Sequence, residues 1–216
     1  MIAKLQYITD SPALAEIACK AGCKWIQFRI KDTTYSEWKN MALQFKKICV
    51  RYNATLIIND NPEIAMEVLA EGVHLGKQDM SPEKARNLLG DSFIIGATAN
   101  TFEDIQAINL SGADYIGLGP YRFTDTKKNL SPLLGLEGYE KIMQQCRMHN
   151  INLPVIAIGG IKKEDIKDLF NTGIYGIAVS SAISNASDPG AETLQLLEAI
   201  NNISETIKLQ SNHTRE

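Results

Sequence analysis

The sequence lacks the features that mark several large classes of protein. Its four cysteines, Cys19, Cys23, Cys49 and Cys146, form neither a C-x-x-C pair nor a zinc-binding spacing, which argues against a redox motif and a structural zinc site. No run of about eighteen apolar residues is present, so we predict no membrane span. The net charge is only -3, which gives no electrostatic argument for binding nucleic acid or an anionic membrane surface.

Other absences bear on location and domain number. The first residues run straight into a strand-like segment, so we see no secretory signal and expect a cytoplasmic protein in a reducing compartment. No low-complexity linker divides the 216 residues, of which 44% are hydrophobic. The chain is therefore long enough for a single α/β domain with a substantial core.

What the sequence does contain is a regular alternation of two patterns. Eight short apolar segments are predicted as strands: 5–9, 25–30, 55–59, 72–75, 93–97, 115–118, 154–158 and 173–179. Eight longer segments are predicted as helices: 11–21, 34–51, 62–70, 81–89, 101–111, 136–150, 162–172 and 189–207. Ser11, Asn61 and Ser81, each followed by proline, are expected N-caps.

This alternation predicts a closed (β/α)8 TIM barrel. The barrel is expected to form one catalytic domain over residues 1–208, followed by a polar, frayed tail over residues 209–216. An open doubly wound sheet is the alternative, but it would favour a glycine-rich dinucleotide turn after the first strand, and none is present there.

In such barrels the chemistry lies on loops that follow the carboxyl ends of the strands. The second strand carries Gln27, Arg29 and Lys31 on one face and apolar residues on the other, because side chains alternate along a strand. Two buried cations need a partner. We interpret them as a site for an anionic ligand, and an internal salt bridge to barrel carboxylates is the alternative.

Two carboxylates follow neighbouring strands. Asp60 comes directly after the third strand, beside Asn59, and Asp79 follows the fourth. Two carboxylates together with phosphate oxygens and water suit Mg2+, which is a hard ion that retains water. The alternative is that each carboxylate caps the helix that follows it. His74 is expected to pack or to hydrogen-bond within its strand.

The later loops are suited to phosphate. Thr124, Thr126 and Lys127 follow the sixth strand and bring hydroxyls and a compact positive charge into one loop, which could also be a solvated surface loop. Gly160 follows the seventh strand, and Val179 and Ser180 end the eighth. Glycine lets backbone amides approach a phosphate closely, and loops seven and eight bind a phosphate monoester in many barrels.

These residues together resemble the thiamine phosphate synthase family, also called thiamine-phosphate pyrophosphorylase. The resemblance runs from about Leu5 to Ile183, nearly the whole barrel. It rests on Gln27-Phe-Arg-Ile-Lys31, Ile58-Asn-Asp60, Gly72-Val-His-Leu-Gly76 with Asp79, Gly119-Pro120 with Thr124-x-Thr126-Lys127, Ala157-Ile-Gly-Gly-Ile161 and Val179-Ser-Ser-Ala-Ile183.

The resemblance implies a transferase that condenses hydroxymethylpyrimidine diphosphate with thiazole phosphate, in the presence of Mg2+, to give thiamine phosphate and diphosphate. It also implies a dissociative reaction and a role for each site residue. Arg29, Lys31, Asn59 and Lys127 would hold the diphosphate, with Arg29 and Lys127 as the catalytic pair. Asp60 and Asp79 would hold Mg2+, Gln27 and Thr98 would contact the pyrimidine, and Thr124, Thr126, Gly160, Val179 and Ser180 would hold the thiazole phosphate.

The sequence departs from the family pattern at three positions. Thr98 stands where the family usually has serine, and it keeps the hydroxyl. Asn100 stands where histidine is frequent, and Lys77 precedes Gln78 where glutamine commonly comes first. We leave Asn100 without a role.

Three alternative functions are weighed against this one. A thiazole tautomerase-like sister enzyme would lack the full Thr-x-Thr-Lys loop, and a non-catalytic phosphate-ligand sensor would have lost the Mg2+ carboxylates or Lys127. An isomerase of phosphorylated sugars would need an acid/base pair in the barrel mouth. The expected partners are small phosphorylated substrates, with no nucleic acid or membrane, and a homo-oligomer is compatible with the sequence.

Overall fold

The fold is a closed barrel of eight parallel strands. The computed structural model describes residues 2–123 and 132–213, without the side chains of residues 207–213. Each strand pairs with the next along the chain, and β8 pairs with β1 to close the barrel. The strands are β1 (Leu5–Thr9), β2 (Trp25–Phe28), β3 (Thr55–Asn59), β4 (Gly72–Leu75), β5 (Ile94–Ala99), β6 (Tyr115–Leu118), β7 (Val155–Ile158) and β8 (Gly176–Val179).

Helices connect the strands and cover the outside of the barrel. They are α1 (Pro12–Lys20), α2 (Tyr35–Tyr52), α3 (Pro62–Glu67), α4 (Pro82–Leu89), α5 (Phe102–Asn109), α6 (Gly135–Met148), α7 (Ile166–Asn171), α8 (Ser181–Ser184) and α9 (Pro189–His213). A short 3-10 turn, Lys163–Asp165, precedes α7. The predicted TIM barrel is therefore confirmed. No helix in the described part of the chain is long and apolar enough to cross a membrane.

Three predicted caps begin the helices as expected. The side chains of Ser11, Asn61 and Ser81 accept hydrogen bonds from the backbone N–H groups three residues later, at 3.3, 2.8 and 3.4 Å. Each satisfies one of the amide groups that a helix start leaves without an intrahelical partner. These caps fix where α1, α3 and α4 begin, and so how the loops after β1, β3 and β4 enter them.

Two apolar layers stabilise the barrel. The larger lies between the strands and the helices and contains Ile26 and Phe28 of β2. The smaller fills the barrel interior and consists of Ile8, Trp25, Ile57, Tyr115, Ile156 and Ala178. Alternation along β2 thus turns Ile26 and Phe28 to the helices, as predicted.

The chain end differs from the expected outline. Helix α9 continues to His213, beyond residue 209, where we expected a polar tail to begin. Residues 214–216 lie outside the described residues. The division at residue 208 stays a prediction.

Candidate active site

A cavity of about 690 Å³ lies at the carboxyl ends of the strands. Its volume suits a small-molecule ligand. It brings together ten of the residues that the sequence analysis selected: Gln27, Arg29, Lys31, Asn59, Asp60, Asp79, Thr98, Gly160, Val179 and Ser180. The other three, Thr124, Thr126 and Lys127, lie outside the described residues.

Strand β2 supplies one side of this cavity. Gln27 is inside the barrel and only 2% exposed, and its Nε2 donates to Oε1 of Gln6 at 3.1 Å. The strand ends at Phe28, two residues earlier than predicted, so Arg29 and Lys31 belong to the loop that follows. The backbone N–H of Arg29 donates to the carbonyl of Thr9 at 3.1 Å, which holds this loop against the end of β1.

The two carboxylates, Asp60 and Asp79, both line the cavity and are exposed. Asn61 and Ser81 cap the helices that follow them, so the alternative in which the carboxylates are the caps is wrong. Asp79 instead accepts a hydrogen bond from the Gly76 N–H at 2.7 Å, within the loop after β4.

The backbone at Asp60 is in a conformation that few residues adopt. Its φ is +66°, in the left-handed region, which aspartate and asparagine tolerate better than most other non-glycine residues. The Asp60 N–H donates to the His74 carbonyl at 2.8 Å and so secures this turn to β4. The strained turn places the carboxylate at the cavity rather than on the helix that follows.

The loops after β6 and β7 are joined by backbone hydrogen bonds. The N–H groups of Tyr121 and Arg122 donate to the carbonyls of Ile158 and Gly159, at 2.9 and 3.0 Å. A β-carbon at Gly159 would lie 2.8 Å from the Cα of Pro120, so only glycine allows this approach. The start of the loop that carries Thr124 is thus fixed against the glycine loop after β7.

An ion pair strengthens the same junction. Arg122 donates to both carboxylate oxygens of Asp165, at 2.5 and 2.8 Å, and to the carbonyl of Gly160 at 3.0 Å. Burial raises the pKa of Asp165, but hydrogen bonds from Arg122 and from the Lys162 amide outweigh burial and hold the pKa below its usual 3.8. The carboxylate is therefore ionised at neutral pH and orders the Gly160 loop.

Asp165→Asn is expected to lower the free energy of unfolding by about 1–3 kcal/mol, because Arg122 loses a bidentate partner and the amide cannot satisfy both donors. Chemical denaturation at pH 7 would measure this. The folded-state pKa is depressed, so the stabilisation is present above pH 3.8 and is lost as the pH falls through the folded pKa.

Glu164→Gln is the control for this change, because Glu164 is exposed and adjacent in sequence. It should stay within about 0.5 kcal/mol of the parent protein. Equal losses in the two variants would contradict the role given to the ion pair.

Sequence reasoning missed several contacts of the cavity. His74 packs inside the barrel, as predicted, and its two ring nitrogens each lie 3.0 Å from a hydroxyl oxygen, Nε2 from that of Thr98 on β5 and Nδ1 from that of Tyr115 on β6. Asn100 donates through Nδ2 to the Gly119 carbonyl at 2.5 Å and so joins the ends of β5 and β6. Neither contact has a local sequence signal, because both depend on which side chains the closed barrel brings together.

Lys77 is a third residue of the cavity wall without an assigned role. Its Nζ lies 2.8 Å from a carboxylate oxygen of Asp104, in the first turn of α5. The pair is partly exposed, and pairing reduces the positive charge that Lys77 offers to a ligand. This geometry gives a structural reason for a lysine at this position.

Comparisons with known proteins show the family to which the chain belongs. Residues 2–183 match the family described as thiamine monophosphate synthase. The chain is 53% identical over 183 residues to a thiamine-phosphate synthase from Bacteroides thetaiotaomicron, covering 85% of this chain and 88% of that protein. It is 45% identical over 207 residues to a thiamine-phosphate synthase from Flavobacterium psychrophilum, covering 93% and 98%.

A solved structure extends the similarity to three dimensions. The thiamine phosphate pyrophosphorylase from Pyrococcus furiosus superimposes with a TM-score of 0.82 at 32% sequence identity. The match covers 93% of this chain and 96% of that one.

Proposed function

The chain belongs to the thiamine monophosphate synthase family and acts as a thiamine-phosphate synthase in thiamine biosynthesis, and from this premise we propose a dissociative, Mg2+-assisted reaction in the cavity at the barrel mouth. The substrates are hydroxymethylpyrimidine diphosphate and thiazole phosphate. The products are thiamine phosphate and diphosphate.

One observation carries this mechanism: the ten described residues that were selected for the two substrates and the metal line a single cavity. They come from six different strand ends, so only the closed barrel brings them together. Cations, carboxylates and small polar groups lie around one space, as the joining of two phosphorylated molecules requires.

The donors at the mouth fit Mg2+. Asp60 and Asp79 offer hard carboxylate oxygens, and neither is used as a helix cap. Among the described residues no group of three or more His, Cys, Asp or Glu side chains could hold a metal by itself. Diphosphate oxygens and water would complete the ligand set, as is usual for Mg2+. When bound, the ion would neutralise charge on the departing diphosphate.

The protein groups then act on the leaving diphosphate and the pyrimidine. Arg29, Lys31, Asn59 and Lys127 hold the diphosphate while the bond between its oxygen and the methylene carbon breaks. The electron pair leaves with the oxygen, and a pyrimidinylmethyl cation remains. The thiazole nitrogen donates its lone pair to that carbon and forms the new C–N bond. No protein nucleophile is needed, so the residues act by alignment and charge stabilisation.

The thiazole phosphate is assigned to the other side of the cavity. Gly160, Val179 and Ser180 lie there together on the loops after β7 and β8. Thr124 and Thr126 are proposed to complete this subsite from the loop after β6. The junction between Arg122 and Asp165 supports the assignment, because it fixes the Gly160 loop in position.

The proposal is tested by mixing the purified protein with Mg2+ and both phosphorylated substrates and detecting thiamine phosphate by chromatography. Equimolar thiamine phosphate and diphosphate are expected. Binding of both substrates without product would favour the non-catalytic sensor. Conversion of the thiazole alone would favour the tautomerase.

Gly160→Ala is expected to raise the KM for thiazole phosphate about tenfold, which corresponds to about 1.4 kcal/mol. The φ of Gly160 is +64°, and a β-carbon there would lie 2.6 Å from Cγ of Arg122 and 3.0 Å from the Phe123 carbonyl oxygen. The substitution should therefore displace the loop. The KM for the pyrimidine diphosphate should change less than about twofold, and steady-state kinetics with each substrate varied separately would measure both.

Gly90→Ala is the matched control. Gly90 has a φ of +77°, but a β-carbon there would meet nothing within 4 Å, at the end of α4. Gly90→Ala therefore has the cost of placing alanine at a positive φ, without a steric clash. If Gly160→Ala bound thiazole phosphate normally but no longer bound the pyrimidine diphosphate, the two phosphate subsites would have to be assigned the other way round.

We also propose a cytoplasmic location. The four cysteines are free thiols and buried, and unpaired thiols are typical of reducing compartments.

A further inference from the structure

A chain of hydrogen bonds crosses the barrel interior and ends at two side chains of the cavity. Nε2 of Gln27 donates to Oε1 of Gln6 at 3.1 Å, and Nε2 of Gln6 donates to Oη of Tyr115 at 3.4 Å. Oη of Tyr115 lies 3.0 Å from Nδ1 of His74, and Nε2 of His74 lies 3.0 Å from Oγ1 of Thr98. Gln27 and Thr98, the ends of this chain, both line the cavity.

The barrel wall is shaped around the two rings of this chain. A β-carbon at Gly96 would lie 2.1 Å from Cζ of Tyr115, and one at Gly117 would lie 2.8 Å from Cε1 of His74. Trp25 packs edge-on against Tyr115, with ring centroids 4.9 Å apart. Two glycines on neighbouring strands thus leave room for the rings, and close packing fixes the rings in place.

The chemistry of Tyr115 and His74 determines which group donates in each hydrogen bond of this chain. Burial raises the pKa of Tyr115 far above its usual 10, against the smaller effect of hydrogen bonds from Gln6 and Gln27, so the phenol keeps its proton. The phenol oxygen accepts from Gln6, and its single proton is then available to Nδ1 of His74. A histidine that accepts at Nδ1 carries its own proton on Nε2 and donates it to Thr98.

We propose that His74 is a positioning residue that acts through Thr98. Held as the Nε2–H tautomer, His74 donates to Oγ1 of Thr98, and the Thr98 hydroxyl proton turns to the cavity as a donor. At the other end, Gln27 uses its NH2 group within the chain and presents Oε1 as an acceptor.

The two ends together offer one donor and one acceptor to the ligand. An aminopyrimidine offers the complementary pair, a ring nitrogen that accepts and an exocyclic amine that donates. This inference rests on the proposed function, because it assigns the pyrimidine to these two side chains. The buried chain of hydrogen bonds would then explain why the site selects an amino-substituted pyrimidine. An oxo-substituted pyrimidine offers a carbonyl that accepts and a ring N–H that donates, which is the opposite pattern.

The tautomer can be measured without any activity. The sequence has three histidines, so the full chain labelled with 15N in the imidazole rings gives a simple NMR spectrum, and a His149→Gln variant helps to assign it. We expect the Nε2–H tautomer at His74 in the parent protein and a mixture of tautomers in Tyr115→Phe. A His74 that carries its proton on Nδ1, which would reverse the whole chain, overturns the proposal.

Kinetics test whether the chain acts on the pyrimidine. Tyr115→Phe should raise the KM for the pyrimidine diphosphate about tenfold and leave the KM for thiazole phosphate unchanged. Thr98→Val should raise the KM for the pyrimidine diphosphate at least as much. Thr98→Ser keeps the hydroxyl, so its KM for this substrate should stay within about threefold of the parent value. The double variant Tyr115→Phe with Thr98→Val should show less than the product of the two effects, because the chain acts through Thr98.

The outcomes separate this proposal from the proposed function. Additive effects, or equal increases in the KM values of both substrates, would mean that Tyr115 and His74 serve only the fold, and the proposal fails while thiamine phosphate is still formed. If the parent protein forms no thiamine phosphate, the proposed function fails, and the tautomer measurement still decides the direction of the chain.

Discussion

Asp79→Asn and Asp60→Asn are each expected to reduce Mg2+-dependent formation of thiamine phosphate by at least about 10²-fold. Each change keeps the size of the side chain and removes its charge, so the proposed Mg2+ site would lose one of its two protein ligands while the leaving diphosphate keeps its full negative charge. Asparagine also tolerates the left-handed backbone at residue 60, where φ is +66°. The fold should therefore persist, since both side chains are exposed at the mouth.

The measurement is the initial rate as a function of Mg2+ concentration, together with calorimetric titration of Mg2+ in the presence of diphosphate. Asp91→Asn is the control, because Asp91 is an exposed carboxylate that precedes β5 and so lies at the opposite end of the barrel. Its rate should equal that of the parent. Full activity of the parent protein after complete chelation of divalent ions would refute the Mg2+ assignment.

Arg29→Ala and Lys127→Ala are expected to lower kcat by about 10²-fold or more. In the proposed reaction, negative charge on the diphosphate grows as the C–O bond breaks, so a cation that contacts it would be worth more in the transition state than in the bound substrate. Arg29 and Lys31 both line the cavity. Lys127 belongs to the segment 124–131, outside the described residues.

Lys77→Ala is the matched control for this pair of variants. Lys77 lines the same cavity but pairs with Asp104 at 2.8 Å, so its removal should affect kcat much less. Steady-state kinetics with the pyrimidine diphosphate varied would separate kcat from KM. If Arg29→Ala and Lys127→Ala changed KM alone, these residues would bind substrate and transition state equally, and their catalytic role would be wrong.

The strands were predicted well because their signal is local. The bounds of β1, β3, β4 and β6 agree with the sequence pattern. The prediction for β8 began at Gly173, but the strand begins at Gly176, because Gly173, with a φ of +99°, completes the turn after α7. Apolar residues lie on both sides of that turn, so the sequence pattern does not show where β8 begins.

The helices show where short-range contacts override a periodic pattern. The segment 162–172 was predicted as one helix, but its first residues form a 3-10 turn, in which the carboxylate of Asp165 accepts from the Lys162 N–H at 2.8 Å. The four-residue α8, Ser181–Ser184, was not predicted, because so short an element has no measurable period. Helix α9 extends to His213, six residues beyond its predicted end.

The ten residues that line the cavity could be selected from the sequence because a strand end can be recognised from local pattern and because the motifs resemble those of a known family. Their mutual contacts could not. His74 and Tyr115 are separated by 41 residues, and their hydrogen bond requires the register that places His74 opposite Gly96. That register depends on the closed barrel as a whole, which no single segment of the sequence encodes.

The hydrogen bonds at the base of the segment 124–131 bear on how relatives of this protein can diverge. On its far side, the N–H groups of Leu134 and Gly135 donate to the carbonyls of Pro120 and Tyr121, each at 3.0 Å, so the two ends of the intervening chain are held next to each other. Lengthening a segment whose ends are already joined costs little, about 0.6 kcal/mol for each doubling of its length. The barrel should therefore tolerate insertions in this segment, and an insertion that keeps Thr124, Thr126 and Lys127 is a way to alter substrate preference by design.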